Sequence, residues 1–415
     1  MTLTQITHHD LDGYGASTLA AALAEVARVV HVPRYGDVGP VVEGELKRLA
    51  RAAAPETLLV TDLGLEEPAV AFLRRFASLN CRRDEPARHR LIVLDHHVSS
   101  VDQLRAGGFE PIPDPDRPGL LRFDLGDPGI HVLIQDGVCA TRMTSEHRAL
   151  FATRAAAGAR EGTGEGTGEG TGEGTGEGTG AGTGEGPSEA DLAALVAAID
   201  ALDLWRKDRP EFAGGLALDE LFWDNVATLI PVGHPWHDPF VSGLLTAAAG
   251  LLREGATPAE LERRVSGARI DLVDRMMAGE PDDDPSLTTR MRIARALARS
   301  DVLFQPLTDG TLLSFGLDPG TFQRVSDLVM EGGRARRVCN VQRTGTLSFR
   351  SNDGTALDAA RRFRGGGHRD AAGGRLPDGA VHSQAEAMAQ VEPVLNPPAA
   401  DRSAGPFAAL KDWKG

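Results

Sequence analysis

Asp95-His96-His97 follows directly on the apolar run Leu91-Ile92-Val93-Leu94, so a carboxylate and two imidazoles stand where a buried strand would end. Two further segments repeat the arrangement. Leu3 to Thr7 runs into His8-His9-Asp10-Leu11-Asp12-Gly13, and Leu58-Leu59-Val60-Thr61 runs into Asp62. In open α/β sheets ligands bind beyond the carboxyl ends of the strands, so three strands ending in Asp or His predict one shared site. Carboxylate oxygens mixed with imidazole, and no thiolate, suit Mn2+ or Mg2+ better than structural zinc. The set His8, Asp10, Asp12, Asp62, His96 and Asp203 holds four carboxylates, which would repel strongly unless cations neutralised them. One carboxylate can bridge two ions roughly 4 Å apart, the geometry that clamps attacking and leaving oxygens in phosphoryl transfer. Asp62, alone at its strand end, is the candidate bridge.

Each piece also has a plainer reading. Asp62 could cap the helix after Glu66, His-His pairs are often surface or core groups, and Asp-x-Asp-Gly can be a turn. Their joint placement after successive apolar runs favours the metal site.

The elements that must position these groups alternate. Gly13 to Val30 reads as a helix opening at Gly13-Tyr14-Gly15, Val29 to Val32 as a strand and Val41 to Ala54 as a helix. Leu58 to Thr61 follows as a strand, Pro68 to Ser78 as a helix and Leu91 to Leu94 as a strand. Such βα units predict a parallel sheet covered on both faces. Residues 111–129 form a Pro/Gly/Asp-rich connection, and Cys139 to Thr153 reads as a helix. Ser188, with Asp191 three residues on, caps a helix over Leu192 to Leu202 that delivers Asp203-Leu204-Trp205.

At 415 residues the chain is too long for one ordinary core. The expected organisation is an α/β protein with an amino-terminal parallel-sheet domain over 1–230, a helical linker over 231–300, a smaller α/β domain over 301–395 and a tail over 396–415. Within the first domain, residues 159–187 contain five copies of Glu-Gly-Thr-Gly and then Ala-Gly-Thr-Gly. Half of that repeat is Gly and none of it is apolar enough to bury, so a flexible insertion is expected. In the second domain Leu312 to Leu317 and Val338 to Arg350 read as strands, with Phe322 to Glu331 and Leu357 to Phe363 as helices. Trp223, Trp236 and His237, in the helical region, read as core groups rather than as base-stacking platforms.

Hydrophobic content of 41% and charged content of 25% are those of a soluble globular protein. No apolar run approaches the roughly 20 residues that span a bilayer. The amino terminus lacks the basic-then-apolar pattern of a signal peptide, so a cytoplasmic location is expected. Cys81, Cys139 and Cys339 are widely spaced and imply neither a disulfide framework nor a thiolate zinc site. A net charge of −15 argues against strong non-specific binding to long nucleic acid. That charge is uneven, because nine Arg against Asp353 and Asp358 lie between Arg334 and Arg369. Here Arg350, within Phe349-Arg350-Ser351-Asn352, can grip a phosphate bidentately. The run Gly365-Gly366-Gly367-His368 lets backbone N–H groups approach a phosphate or base closely, with His368 as a donor.

Together the Thr-His-His-Asp-Leu-Asp-Gly start, the isolated Asp62, the Asp95-His96-His97 triplet and the Gly-Gly-Gly-His run resemble the DHH phosphoesterase superfamily, in its motif order and over nearly the whole chain. The last motif is similar to its DHH-associated C-terminal domain, and the nearest likeness is to nanoRNase-type oligoribonucleases and RecJ-like proteins. Asp203-Leu204-Trp205 is similar to the fourth motif of one nanoRNase branch. The resemblance implies two Mn2+, with Mg2+ as a substitute. His8, Asp10 and Asp62 would hold one ion, and Asp12, Asp62, His96 and Asp203 the other. His97 would contact the scissile phosphate or assist the leaving group, and Asp95 would orient the histidines. Arg350, Ser351 and Gly365 to His368 would bind the terminal nucleotide of the substrate.

Many relatives place the first His four residues before the first Asp, where this chain has Ile6. His8 is expected to substitute, with His9 as its competitor, and Asp200 competes with Asp203. The expected activity is Mn2+-dependent phosphodiester hydrolysis of short single-stranded oligonucleotides to mononucleotides, between an acidic metal lobe and a basic recognition lobe. Cyclic-dinucleotide or dinucleotide phosphodiesterase and adenosine 3′,5′-bisphosphate phosphatase would use the same ligands. A pyrophosphatase fits less well, and a non-catalytic nucleotide-binding regulator would have lost a ligand. A homodimer is left open.

Overall fold

The structure is a computed structural model and describes residues 2–153, 187–281, 283–381 and 383–397. The Glu-Gly-Thr-Gly insertion and the tail beyond 397 lie outside the described residues. One compact unit runs to Asn225 and takes in Asp238–Leu272. The other holds Val226–His237 and the described chain from Val273 onward.

The first unit begins β1 (Thr2–His8), α1 (Leu11–Leu23), β2 (Val26–Val32), α2 (Val38–Arg51), β3 (Glu56–Thr61), α3 (Glu67–Asn80), β4 (Arg90–Asp95) and α4 (Val98–Ala106). It continues with β5 (Pro111–Pro113), β6 (Leu120–Phe123), β7 (Ile130–Gln135), α5 (Ala140–Glu146), α6 (Glu189–Asp203), α7 (Phe212–Asn225) and α8 (His237–Arg253). Seven strands order as β2-β1-β3-β4-β7-β6-β5. The first five in that order pair in parallel, while β6 and β5 close the edge antiparallel.

Both faces are covered, as the near-continuous apolar strands require. Ile6, Leu58, Val60, Leu91 and Val93 pack on one face with Val42 and Leu49 of α2, Phe72 and Phe76 of α3 and Leu104 of α4. Leu3, Leu59, Ile92 and Leu94 pack on the other with Ala20 and Leu23 of α1 and Met143 of α5. The first helix ends at Leu23 and not near Val30, because Val26 already pairs with Leu3. The connection at 111–129 contains a short hairpin, and β7, which the alternation did not predict, lies beside β4.

Helix α9 (Pro258–Met277) bridges the chain from the first unit, and α10 (Thr289–Arg299) belongs to the second. The stretch 231–300 is divided between the two units. Thr18 donates to Ser242 Oγ at 3.0 Å, and His31 Nε2 lies 2.7 Å from Asp238 Oδ1. These ties across more than two hundred residues hold α8 to the first sheet. Arg292 of α10 instead pairs with Asp274 and Asp283.

The second unit continues β8 (Gln305–Pro306), β9 (Leu312–Phe315), α11 (Pro319–Glu331), β10 (Arg337–Val341), β11 (Thr346–Ser351) and α12 (Ala356–Arg362). It ends with β12 (Gly366–His368), β13 (Ala371–Arg375) and α13 (Gln384–Leu395). Its strands order as β12-β13-β11-β10-β9-β8, around a core of Leu313, Cys339, Phe349, Ala360, Phe363 and Val391. Val338 to Arg350 is an antiparallel hairpin, Val341 facing Leu347. Among the described residues no helix is long and apolar enough to cross a membrane.

Candidate metal centre

Strands β1, β3 and β4 are neighbours in parallel register, with Thr7 beside Thr61 and Thr61 beside Leu94. Their carboxyl ends therefore carry His8, Asp62 and Asp95-His96-His97 to one edge of the sheet. Three groups of ligand atoms lie within 4.8 Å of one another: His8, Asp10 and Asp62; Asp12, His96 and Asp203; and Asp62, His96 and His97. Asp62 belongs to two of them.

The Asp-x-Asp-Gly segment is both turn and ligand. Asp10 caps α1, its Oδ1 accepting from Gly13 N at 2.9 Å, while its Oδ2 lies 2.5 Å from His8 Nδ1. A Cβ on Gly13 would stand 2.1 Å from the His8 carbonyl oxygen, so only glycine lets the helix start this close to the strand. Asp12 is buried in the first turn. Its two oxygens accept from Ala140 N and Thr141 N, each at 2.8 Å, at the start of α5. Helix amides favour an anion at that position.

Asp62 does not cap the following helix. Its N–H bonds to Leu94 O at 3.2 Å, and its backbone then turns into the left-handed region at φ 55. Such a conformation is costly for a residue with a Cβ and marks sites where function holds it. Asp62 Oδ1 lies 3.3 Å from His96 Nε2, whereas Oδ2 is buried and accepts no hydrogen bond. His96 also lies 3.8 Å from Asp12 Oδ2 and, through Nδ1, 3.7 Å from Asp203 Oδ2.

Electrostatics register the crowding. Burial, then the charges of Asp12 and Asp10, push the Asp62 carboxyl well above its usual range. Burial and the same two charges raise Asp203 to about 7. Asp10 goes the other way: burial pushes it up, but the His8 hydrogen bond and charge outweigh that and hold it at about 2. A buried carboxylate oxygen without a donor, surrounded by further carboxylates, is the environment that divalent cations neutralise. The hard oxygen and imidazole donors fit Mn2+ or Mg2+, so the residues present suit the implied metals.

His97 stands beside this cage. Its Nδ1 lies 2.6 Å from Asp95 Oδ1, and Ser100 donates to the other Asp95 oxygen. Burial alone would lower the His97 pKa, but the Asp95 hydrogen bond and charge raise it. Asp95 is fully buried, so its contact with His97 is made away from solvent.

The two pairs of competing residues differ in position. His8 enters the ligand group, whereas the His9 ring faces Tyr14 at 5.5 Å and Phe222 at 6.4 Å. Asp203 reaches His96, whereas Asp200 accepts from Cys139 N at 3.0 Å and pairs with Arg142 and Arg206. Tyr35, which nothing in the sequence singled out beyond its place in the loop after β2, also stands here. Its ring stacks on His8 and its hydroxyl lies 3.0 Å from His97 Nε2. Trp223 is 52% exposed and not a core group, while His237 is buried with Nδ1 donating to Ile230 O.

The candidate nucleotide cradle lies in the second unit. Gly366 to His368 form an exposed edge strand on β13. A Cβ on Gly365 would meet Gly373 O at 1.9 Å, and one on Gly367 would meet Ala371 O at 2.6 Å. A Cβ on Gly366 would meet nothing within 4 Å. Arg350 sits over the Phe322 ring at 5.8 Å and donates to Phe349 O. The Ser351 hydroxyl is engaged inside the unit, donating to Asp370 and accepting from Ala356 N at 3.0 Å.

No family model and no curated protein matches the chain. Among solved structures, RecJ in complex with Mn2+ from Thermus thermophilus is 17% identical over 96% of this chain and 52% of that one, at a TM-score of 0.22. The pGpG-specific phosphodiesterase PggH from Vibrio cholrae is 10% identical over 95% of this chain and 99% of that one, at a TM-score of 0.24. An uncharacterized protein from Helicobacter pylori G27 is 16% identical over 95% of this chain and 99% of that one, at a TM-score of 0.66. The two-unit α/β fold is therefore one that this chain shares with a solved structure over nearly its whole length.

Proposed function

We propose that the chain is a Mn2+-dependent phosphoesterase of the DHH type that hydrolyses short single-stranded oligonucleotides to mononucleotides. The observation that carries the reading is Asp62, buried with an unpartnered oxygen and common to the His8/Asp10 and His96/His97 groups. His8, Asp10 and Asp62 would hold one ion, and Asp12, Asp62, His96 and Asp203 the other. Bound there, the pair supplies Lewis-acid activation of water and neutralises charge on a phosphoryl group.

The chain's own residues do the rest. Asp95 fixes the His97 ring, which would hydrogen-bond the scissile phosphate or the leaving oxygen. The helix α5 amides fix Asp12. Gly366, His368 and Arg350 would receive the terminal nucleotide, with the excess of Arg between Arg334 and Arg369 favouring its phosphate. Incubating the full chain and Mn2+ with end-labelled RNA and DNA of graded length, beside a linear dinucleotide and adenosine 3′,5′-bisphosphate, tests the reading. Stepwise shortening of the oligonucleotides supports it. Cleavage of the dinucleotide or the bisphosphate alone would reassign the substrate, and inertness toward all of them would refute the activity.

A further inference from the structure

Tyr35 contacts both His8 and His97, which share no single ligand group among the described residues. Its ring lies over His8 with centroids 5.3 Å apart and planes within 20°, and its hydroxyl is 3.0 Å from His97 Nε2. The chain of contacts behind it is unbroken. Leu65 N donates to Ser100 Oγ at 2.8 Å, Ser100 donates to Asp95, and Asp95 lies 2.6 Å from His97 Nδ1. Linked hydrogen bonds of this kind hold each member in one orientation, so the place of the phenol is set from the core outward.

The seat of the ring is built from both sides. A Cβ on Gly64 would already be 3.3 Å from Tyr35 Cε1, and Arg34 pairs with Asp37 at 3.1 Å across the short turn that carries the tyrosine. Even so, Tyr35 is 38% exposed. A residue present only to fill space would bury its ring and would need no hydroxyl. Here the hydroxyl is directed to the histidine assigned to the phosphate, in a contact exposed to solvent.

We propose that Tyr35 is a further catalytic residue, whose hydroxyl donates a hydrogen bond to a phosphoryl oxygen of the substrate beside His97. The phenol turns about its C–O bond, so its proton can face that oxygen while staying on Tyr35 and leaving the phenol oxygen within reach of His97. No covalent bond forms or breaks at the tyrosine. A donor held in place before the reaction stabilises charge that grows on the phosphoryl oxygens without reorganising to do so.

This role rests on the phosphoesterase reading, and the test separates the two. Tyr35→Phe keeps the ring on His8 and removes only the hydroxyl. Full-length wild type and variant are compared with Mn2+ and bis(p-nitrophenyl) phosphate for kcat and KM, and by calorimetry for Mn2+ uptake. The expected result is a fall in kcat on the order of 10²-fold, with Mn2+ uptake and melting temperature unchanged. A kcat within about twofold of wild type overturns the role and leaves the phosphoesterase reading standing. Loss of Mn2+ uptake in Tyr35→Phe would make the hydroxyl a support for the ligands and would also overturn it. A wild type inert toward every phosphodiester overturns the underlying reading.

Discussion

His96 Nε2 and Asp62 Oδ1 stand 3.3 Å apart although they leave different strands, because the parallel register sets Thr61 beside Leu94 and each chain departs just beyond. The Asp62 backbone turns left-handed at that point, and its second oxygen is left buried without a donor. A fold selected for stability alone would avoid both features. Removing the charge should therefore separate stability from function. Metal-free Asp62→Asn is expected to melt at or above the wild-type temperature while losing turnover, checked by calorimetry in chelator beside the phosphodiesterase assay.

Asp12 should behave oppositely. Its oxygens are the acceptors for the buried amides of Ala140 and Thr141, and Thr141 also donates its hydroxyl to the Asp12 carbonyl. Asp12→Ala leaves both amides unpaired, and each charge-assisted bond contributes about 1.5–3 kcal/mol. Urea unfolding of the metal-free variant should show a loss of roughly 3–6 kcal/mol, beyond any loss of activity.

The pH dependence follows from two raised carboxyls. Asp203 titrates at about 7 in the fold against a usual 3.8, and Asp62 is raised in the same direction. A group raised in this way holds a proton that unfolding releases, so its contribution is present below 3.8 and is lost as pH rises through about 7. Metal-free protein should thus melt lower at about pH 8 than at about pH 5, and Mn2+ should raise the melting temperature at the higher pH far more than at the lower. Asp10, held at about 2, contributes above 3.8 and loses that contribution only in strong acid, outside this window. Scanning calorimetry with and without Mn2+ checks the sign.

The grouping of the candidate site was legible in the sequence because its residues come in short runs at the ends of strongly apolar strands, and parallel neighbours deliver such ends to one edge. Asp203 needed its own helix, whose Ser188–Asp191 capping box is a local signal and was readable too. Tyr35 was not legible: a tyrosine in a loop after an edge strand carries no periodicity, and only the sheet order brings it over His8. The strand β7 escaped for a similar reason, since it is entered from a hairpin and has no helix before it to complete a βα unit. The helices after Asn225 gave no sign of which core they join, because Thr18–Ser242 and His31–Asp238 are separated by more than two hundred residues. Of the three glycines near the carboxyl end, read as a close approach to substrate, two serve the close packing of an edge strand.

That last point gives a discriminating pair of variants. Gly366→Ala meets nothing in the fold and should leave the melting temperature unchanged, so a rise in KM would report on the substrate alone. Gly365→Ala drives a Cβ into the Gly373 carbonyl and should lower the melting temperature before any kinetic effect is read.

The most direct measurement is calorimetric titration of Mn2+ into the full chain and into Asp62→Ala near neutral pH. The wild type should take up two ions per chain, and the variant, stripped of the carboxylate common to both ligand groups, should take up neither with measurable affinity. A wild type that binds no manganese, or an Asp62→Ala isotherm matching it, would contradict the account.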